Sequence, residues 1–150
     1  MREITKLLTL AVVALIALGL TALDATAQPV SCGGLHALMI MDLDMVPDPA
    51  FQGQPIQRWI VKLRADGNGE CATRILVRDR DQWAGNAFAT TLRPGLNVIT
   101  MPANPGYRMQ PGDHCFVVLA DILGSQRPID SGRQFCAKLV PPRPPGWSLK

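Results

Sequence analysis

Residues 56–79 have the sequence IQRWIVKLRADGNGECATRILVRD, which contains two strand patterns joined by a turn. In the first pattern Trp59, Val61 and Leu63 share one face, while the opposite face carries mainly charged side chains. This period of two is typical of a half-buried β-strand. The Asp, Asn and Gly residues at 66–69 tolerate a positive φ and favour a hairpin turn before the second pattern. The stretch therefore predicts two β-strands connected by a tight turn.

Similar strand-like runs recur along the rest of the chain, and no stretch after the N-terminal segment keeps a helical period. Of the 150 residues, 13 are glycine and 13 are proline, which disfavours a helical bundle. An all-β, immunoglobulin-like sandwich of about seven strands is the predicted fold. The predicted strands are residues 35–43, 56–65, 71–79, 88–92, 96–101, 115–123 and 133–140, with irregular connections at 80–87 and 102–112.

The N-terminal segment has the pattern of an export signal. Arg2 and Lys6 precede an uncharged run at residues 7–23, and Ala25-Thr26-Ala27 supplies small residues before a cut. This predicts a bacterial signal peptide at residues 1–27, a sandwich domain at 28–140 and a proline-rich tail at 141–150. The protein would then be periplasmic or secreted. Retention of the apolar run as a membrane anchor is the alternative.

Composition narrows the classes of partner. Hydrophobic residues make up 47% of the chain, enough for a core, and the formal net charge is only +3. A charge this small gives no reason to expect nucleic acid as a partner. No second long apolar run follows the signal, so no transmembrane segment is expected once the signal is cleaved.

The four cysteines, Cys32, Cys71, Cys115 and Cys136, predict two disulfides, since their number is even and export leads to an oxidising compartment. Successive strands of a sandwich alternate in direction. Cys32 before the first strand and Cys71 at the start of the third therefore lie at one end. Cys115 opens the sixth strand and Cys136 lies late in the seventh, at the other end, and a turn centred on residues 125–126 is equally far from both. The predicted bridges are Cys32–Cys71 and Cys115–Cys136.

The order of short motifs between residues 35 and 139 resembles the bacterial immunoglobulin-like domain of the CARDB type, a cell-adhesion-related domain found in bacteria. The resemblance implies a binding or spacer module and no catalytic residue. The motifs are residues 42–44 followed by Val46-Pro47, then residues 53–56, 61–67, 92–95, 117–121 and 129–130.

Catalytic signatures are few. Neither of the two histidines, His36 and His114, belongs to a local nucleophile motif. Asp79 and Asp81 could act as an acid–base pair, but interleaved arginines indicate a solvated loop instead. We therefore predict that the protein is not an enzyme and carries no cofactor. A hydrolase or a hydrolase inhibitor is kept as one alternative function.

A second alternative is a periplasmic copper carrier. Thioether and imidazole groups suit copper, and one segment contains both. The competing interpretation is that the methionines are soft core filler on the first strand. By strand parity, His36 is expected to face away from Met39. The candidate ligands are His36, Met39, Met41 and Met45.

The leading functional hypothesis is a non-catalytic module that binds a protein or an envelope component. Arginine forks suit carboxylate and phosphate groups, and exposed aromatic side chains can stack on sugars or anchor a partner. An ordinary charged outer strand face is the competing interpretation of the arginines. The candidate binding residues are Arg74, Arg78, Arg80, Arg93, Trp83 and Trp147.

Overall fold

The computed structural model describes residues 27–48, 50–122, 129–130, 134–137 and 145–146. The predicted signal before residue 27 and most of the proline-rich tail, Trp147 included, lie outside these residues. No described residue belongs to a helix long and apolar enough to cross a bilayer. The strands are β1 (Gln28–Cys32), β2 (Leu35–Val46), β3 (Arg58–Gly67), β4 (Cys71–Asp79), β5 (Gln82–Leu92), β6 (Gly95–Pro102), β7 (His114–Ile122), β8 (Ile129–Asp130) and β9 (Phe135–Ala137).

Two antiparallel sheets form a sandwich, as predicted. Sheet I has the order β1-β2-β3-β6, and sheet II has the order β5-β4-β7-β8, with β9 also paired to β7. The chain crosses between the sheets after β3, after β5 and again after β6. The turn at residues 66–69 is therefore not the predicted hairpin, because it carries the chain from one sheet to the other.

Alternation along β3 and β4 builds the core between the sheets. Trp59, Val61 and Leu63 from β3 are fully buried, as are Ile75 and Val77 from β4. The Trp59 indole donates a hydrogen bond to the Ala84 carbonyl oxygen at 2.9 Å. The apolar face predicted from residues 56–79 is thus the face that the two sheets share.

Both predicted disulfides are confirmed. Cys32–Cys71 joins β1 of sheet I to β4 of sheet II, and Cys115–Cys136 joins neighbouring strands within sheet II. Cys115 lies directly opposite Cys136 in the β7–β9 ladder, as expected from a turn centred between residues 125 and 126. One bridge therefore holds the sheets together, and the other fixes the edge of sheet II.

The predicted loop at residues 80–87 is wrong, because β5 covers most of it. The β4–β5 ladder has register irregularities between Ile75 and Val77 and again between Val77 and Arg78, which hide the strand period. Gly85 also looks like a loop residue, but it is needed for packing. A Cβ there would lie 3.1 Å from Cδ1 of the Trp59 ring and 3.0 Å from Cε of Met101. The glycine thus allows sheet I side chains to approach the β5 backbone.

Two irregularities interrupt the pairing of β2 with β3. One falls between Leu35 and Ala37, at His36, and the other between Ile40 and Asp42, at Met41. Leu35 and Leu38 are both buried although they are three residues apart, so the side-chain alternation resets at His36. Strand parity alone therefore fails to predict which residues of β2 share a face.

Candidate binding surface

The outer face of sheet II carries the first group of predicted binding residues. Along β4, residues 71, 73, 75, 77 and 79 are buried, which leaves Arg74, Leu76 and Arg78 on the side away from the core. Arg74 is paired with Asp121 of β7, so its charge is already neutralised. Arg78 is exposed and makes no side-chain hydrogen bond or ion pair within the described part of the chain.

Arg78 and Trp83 are directly opposite each other in the β4–β5 ladder. Cross-strand partners share a face of the sheet, with Cβ atoms roughly 4.5–5.5 Å apart. Trp83 is 46% exposed despite its size. Its backbone is fixed because the Asn104 side chain donates to its carbonyl oxygen at 3.0 Å. The ladder therefore places a cation and a wide aromatic surface side by side on a rigid element.

A groove of about 340 Å³ is lined by Arg78 of this pair, on the β7 side. Arg78 lies opposite Val117 of β7, so the groove continues from the arginine onto an apolar strand. Arg80 lies at the β4–β5 turn with a φ of 51°, and its guanidinium donates to the Asp113 carbonyl oxygen at 2.9 Å. Asp113 also lines the groove and supplies an opposing charge. We call the surface formed by Arg78, Arg80, Trp83 and Val117 the Arg78–Trp83 face.

Other predicted binding residues lie elsewhere. Arg93 follows β5 at the opposite end of the sandwich, where it forms an ion pair with Glu70 at 2.9 Å. Trp147 is outside the described residues. Among the predicted residues that the structure describes, Arg78, Arg80 and Trp83 lie at one end of the outer face of sheet II, and Arg74 lies farther along the same face in its pair with Asp121.

The four copper candidates differ in exposure along β2. His36 and Met41 are exposed at the two irregularities of β2, and Met39 is half-buried between them. Met45 packs against the core instead. Met45 thus fits the core-filler interpretation, Met41 is exposed and does not, and the copper hypothesis stays a prediction.

A buried polar cluster was missed by the sequence analysis. Asp79, His114 and Tyr107 are 5%, 4% and 3% exposed. Asp79 is therefore not in a solvated loop, whereas its neighbour Asp81 is exposed. The sequence already indicated the burial of Asp79, because every second residue of β4 faces the core and Asp79 follows Ile75 and Val77 in that pattern.

Hydrogen bonds in this cluster anchor the irregular segment between β6 and β7. The Tyr107 hydroxyl donates to Asp79 Oδ2 at 2.7 Å, and His114 Nδ1 lies 2.6 Å from the same oxygen. His114 Nε2 lies 2.7 Å from the Gln110 carbonyl oxygen, which can only accept, so this nitrogen carries a proton. These polar groups are hydrogen-bonded to one another in the interior, and their bonds hold the segment between β6 and β7 against β4.

Tyr107 makes the stability of the fold sensitive to alkali. Burial raises the pKa of its hydroxyl far above the ordinary value, and the hydrogen bond to Asp79 raises it further. Because the folded state holds this proton more tightly, its contribution is complete below about pH 10 and is lost as pH rises further. We expect the free energy of unfolding to fall by about 1.4 kcal/mol per pH unit there.

Urea denaturation at about pH 9 and about pH 11 measures this pH dependence of the free energy of unfolding. The Tyr107→Phe variant should lack the decrease that is due to the tyrosine hydroxyl. Tyr107 is the only tyrosine in the chain, so tyrosinate absorbance reports it alone. Tyrosinate formation in the folded protein near the ordinary pKa would contradict the prediction.

Comparison with known proteins gives no relative. No protein-family model, no curated protein and no solved structure matches this chain significantly.

Proposed function

We propose that this chain is an exported, non-catalytic binding module of the bacterial cell envelope, and that it holds an acidic saccharide on the Arg78–Trp83 face. The observation that carries the proposal is the cross-strand pairing of Arg78, which makes no side-chain hydrogen bond or ion pair with the described residues, with the exposed Trp83. An indole ring can stack on the apolar face of a sugar, and a guanidinium binds carboxylate or phosphate through two donors. An acidic sugar supplies both partners within one residue.

Three further features support the proposal. The two disulfides fit an oxidising compartment, which agrees with the predicted export signal. The surface lies on strands of a cross-linked sandwich, so binding costs little conformational entropy. The resemblance to adhesion-related domains is in keeping with a module that binds without chemistry.

The test measures binding of oligogalacturonate, an oligosaccharide of uronic acids, to the processed protein at residues 28–150. We expect saturable binding that weakens about tenfold, or ~1.4 kcal/mol, in Trp83→Ala and in Arg78→Gln. Arg58→Gln is the matched control because Arg58 is an exposed arginine at the start of β3 in sheet I. This control should bind like the wild type.

Two further arms identify the source of the anion. A neutral glucan of the same length should not bind, and vesicles containing phosphatidylglycerol test a lipid headgroup against a free sugar. If Arg58→Gln and Arg78→Gln lose the same amount of binding affinity, the net charge of the protein would explain the binding and the Arg78–Trp83 face would not. Unchanged binding by Trp83→Ala would exclude the Arg78–Trp83 face as the site.

A further inference from the structure

Strand β6 forms an edge of sheet I, and β3 is its neighbour on the inner side. Directly after β6, the Ala103 N–H donates to the Gln57 carbonyl oxygen at 3.2 Å, on the β3 side of the strand. Successive residues of a strand direct their backbone groups to opposite sides, so those of Leu96, Val98 and Thr100 point away from β3. We call these three residues the free edge of β6.

No described strand pairs with the free edge. The backbone N–H and C=O groups of its three residues take part in no hydrogen bond with the described part of the chain. Pro94 precedes β6 and Pro102 ends it, and proline, which lacks an N–H, is confined in sheets to such edge positions. Between the two prolines the edge is therefore open to a further strand.

The side chains of the free edge are exposed and uncharged. Leu96 and Val98 are 64% and 57% exposed, and they are two of the four large hydrophobic side chains that the described residues expose. Residues 94–107 contain no charged side chain. Edge strands are usually protected from pairing with like edges by charged side chains, lysine above all. Strand β6 lacks this protection.

The nearest charges on the same face of sheet I are already neutralised. Lys62 of β3 lies opposite Val98 and is paired with Asp42 at 2.9 Å. Arg64, two residues farther along β3, is paired with Asp66 at 3.1 Å. A charged partner would find no counter-charge at the middle of β6, whereas an uncharged strand identical to β6 would meet no repulsion there.

We propose that β6 pairs with β6 of a second copy of this chain, antiparallel and about a two-fold axis at Val98, so that the two copies of sheet I form one continuous sheet. This axis places Val98 opposite the partner's Val98 and Leu96 opposite the partner's Thr100. Each such pair exchanges two backbone hydrogen bonds, and the same surface serves both copies. The interface is on sheet I, whereas the Arg78–Trp83 face is on sheet II, so the inference goes beyond the saccharide-binding function.

Sedimentation equilibrium of the processed protein at residues 28–150, over a wide range of concentrations, measures the association. We expect a monomer–dimer equilibrium that Val98→Lys weakens about tenfold or more, because two like charges then lie directly opposite each other at the axis. Ala72→Lys is the matched control, since it adds the same charge at an exposed apolar position on β4 of sheet II. This control should dimerise like the wild type.

A second pair of variants tests the backbone hydrogen bonds. Thr100→Pro removes one N–H of the free edge and leaves the ladder with β3 intact, so it should also weaken dimerisation about tenfold or more. Thr100→Val keeps that N–H and should dimerise at least as well as the wild type. Circular dichroism of each variant checks that the sandwich is still folded.

Cross-linking tests the position of the axis. All four native cysteines are bridged, so Val98→Cys supplies the single free thiol of the chain. A short bismaleimide should join two copies of this variant and should not join two copies of Ala72→Cys.

A monomer at every concentration would overturn the proposal. So would a dimer that persists in Val98→Lys or in Thr100→Pro, since another surface would then hold the copies together. Equal loss in Ala72→Lys and Val98→Lys would attribute the effect to added charge and would also overturn it, as would a Val98→Cys variant that no cross-linker joins.

Discussion

Replacing Asp79 by alanine is expected to lower the free energy of unfolding by about 3–5 kcal/mol. The side chains of His114 and Asp79 are 5% and 7% exposed, and one carboxylate oxygen serves both His114 and Tyr107. Its removal leaves an imidazole nitrogen and a hydroxyl buried without that partner. Each of these groups then loses a hydrogen bond that water cannot replace, which is why the expected cost is large. The loss should also release the segment between β6 and β7 from β4.

The adjacent carboxylate provides the control for this substitution. Asp81 is exposed, so Asp81→Ala should change stability by less than about 0.5 kcal/mol. Urea denaturation at neutral pH of the two variants and the wild type measures both effects. Comparable losses in the two variants would contradict the structural role given to the buried cluster.

The inter-sheet bridge is expected to contribute the second large effect. Cys32 and Cys71 are separated by 39 residues, against 21 for Cys115 and Cys136. In the chain-entropy description, opening the longer loop costs about 4 kcal/mol and the shorter one about 3 kcal/mol. Cys32→Ala/Cys71→Ala should therefore be the less stable of the two double variants. It also removes the disulfide that joins the two sheets.

Denaturation of both double variants without reductant tests this order. Each variant keeps the other bridge, so the comparison is internally matched. A larger loss from Cys115→Ala/Cys136→Ala would mean that the edge of sheet II depends on its bridge more than loop length suggests.

Regular alternation explains which parts of the fold could be predicted. Along β3 and β4 the period of two is unbroken, and it predicted the buried face from Trp59 to Val77. The disulfide pairing followed from strand direction and from the midpoint between Cys115 and Cys136, so small errors in the strand ends did not matter. Most of strand β5 was not predicted, because its register against β4 shifts twice and hides the period of two. A glycine also stands at position 85, where the Trp59 ring of the facing sheet leaves no room for a side chain.

The candidate site was predictable in its residues but not in its grouping. Arg78 and Trp83 were both identified, yet their pairing depends on the irregularity after Val77, which no local pattern reveals. Asp79 was wrongly interpreted as part of a solvated loop, because the charged residues around it were given more weight than the alternation that places it toward the core. Tyr107 and His114 belong to an irregular segment and to the start of a strand, so only the tertiary structure brings them to Asp79.

The connectivity of the two bridges has a consequence for biogenesis. The first cysteine pairs with the second and the third with the fourth, so the two closed loops follow one another without overlap. A polypeptide that emerges amino end first presents Cys71 to Cys32 before any competing thiol has arrived. Consecutive oxidation from the amino end would then yield the native linkage without any rearrangement of disulfides.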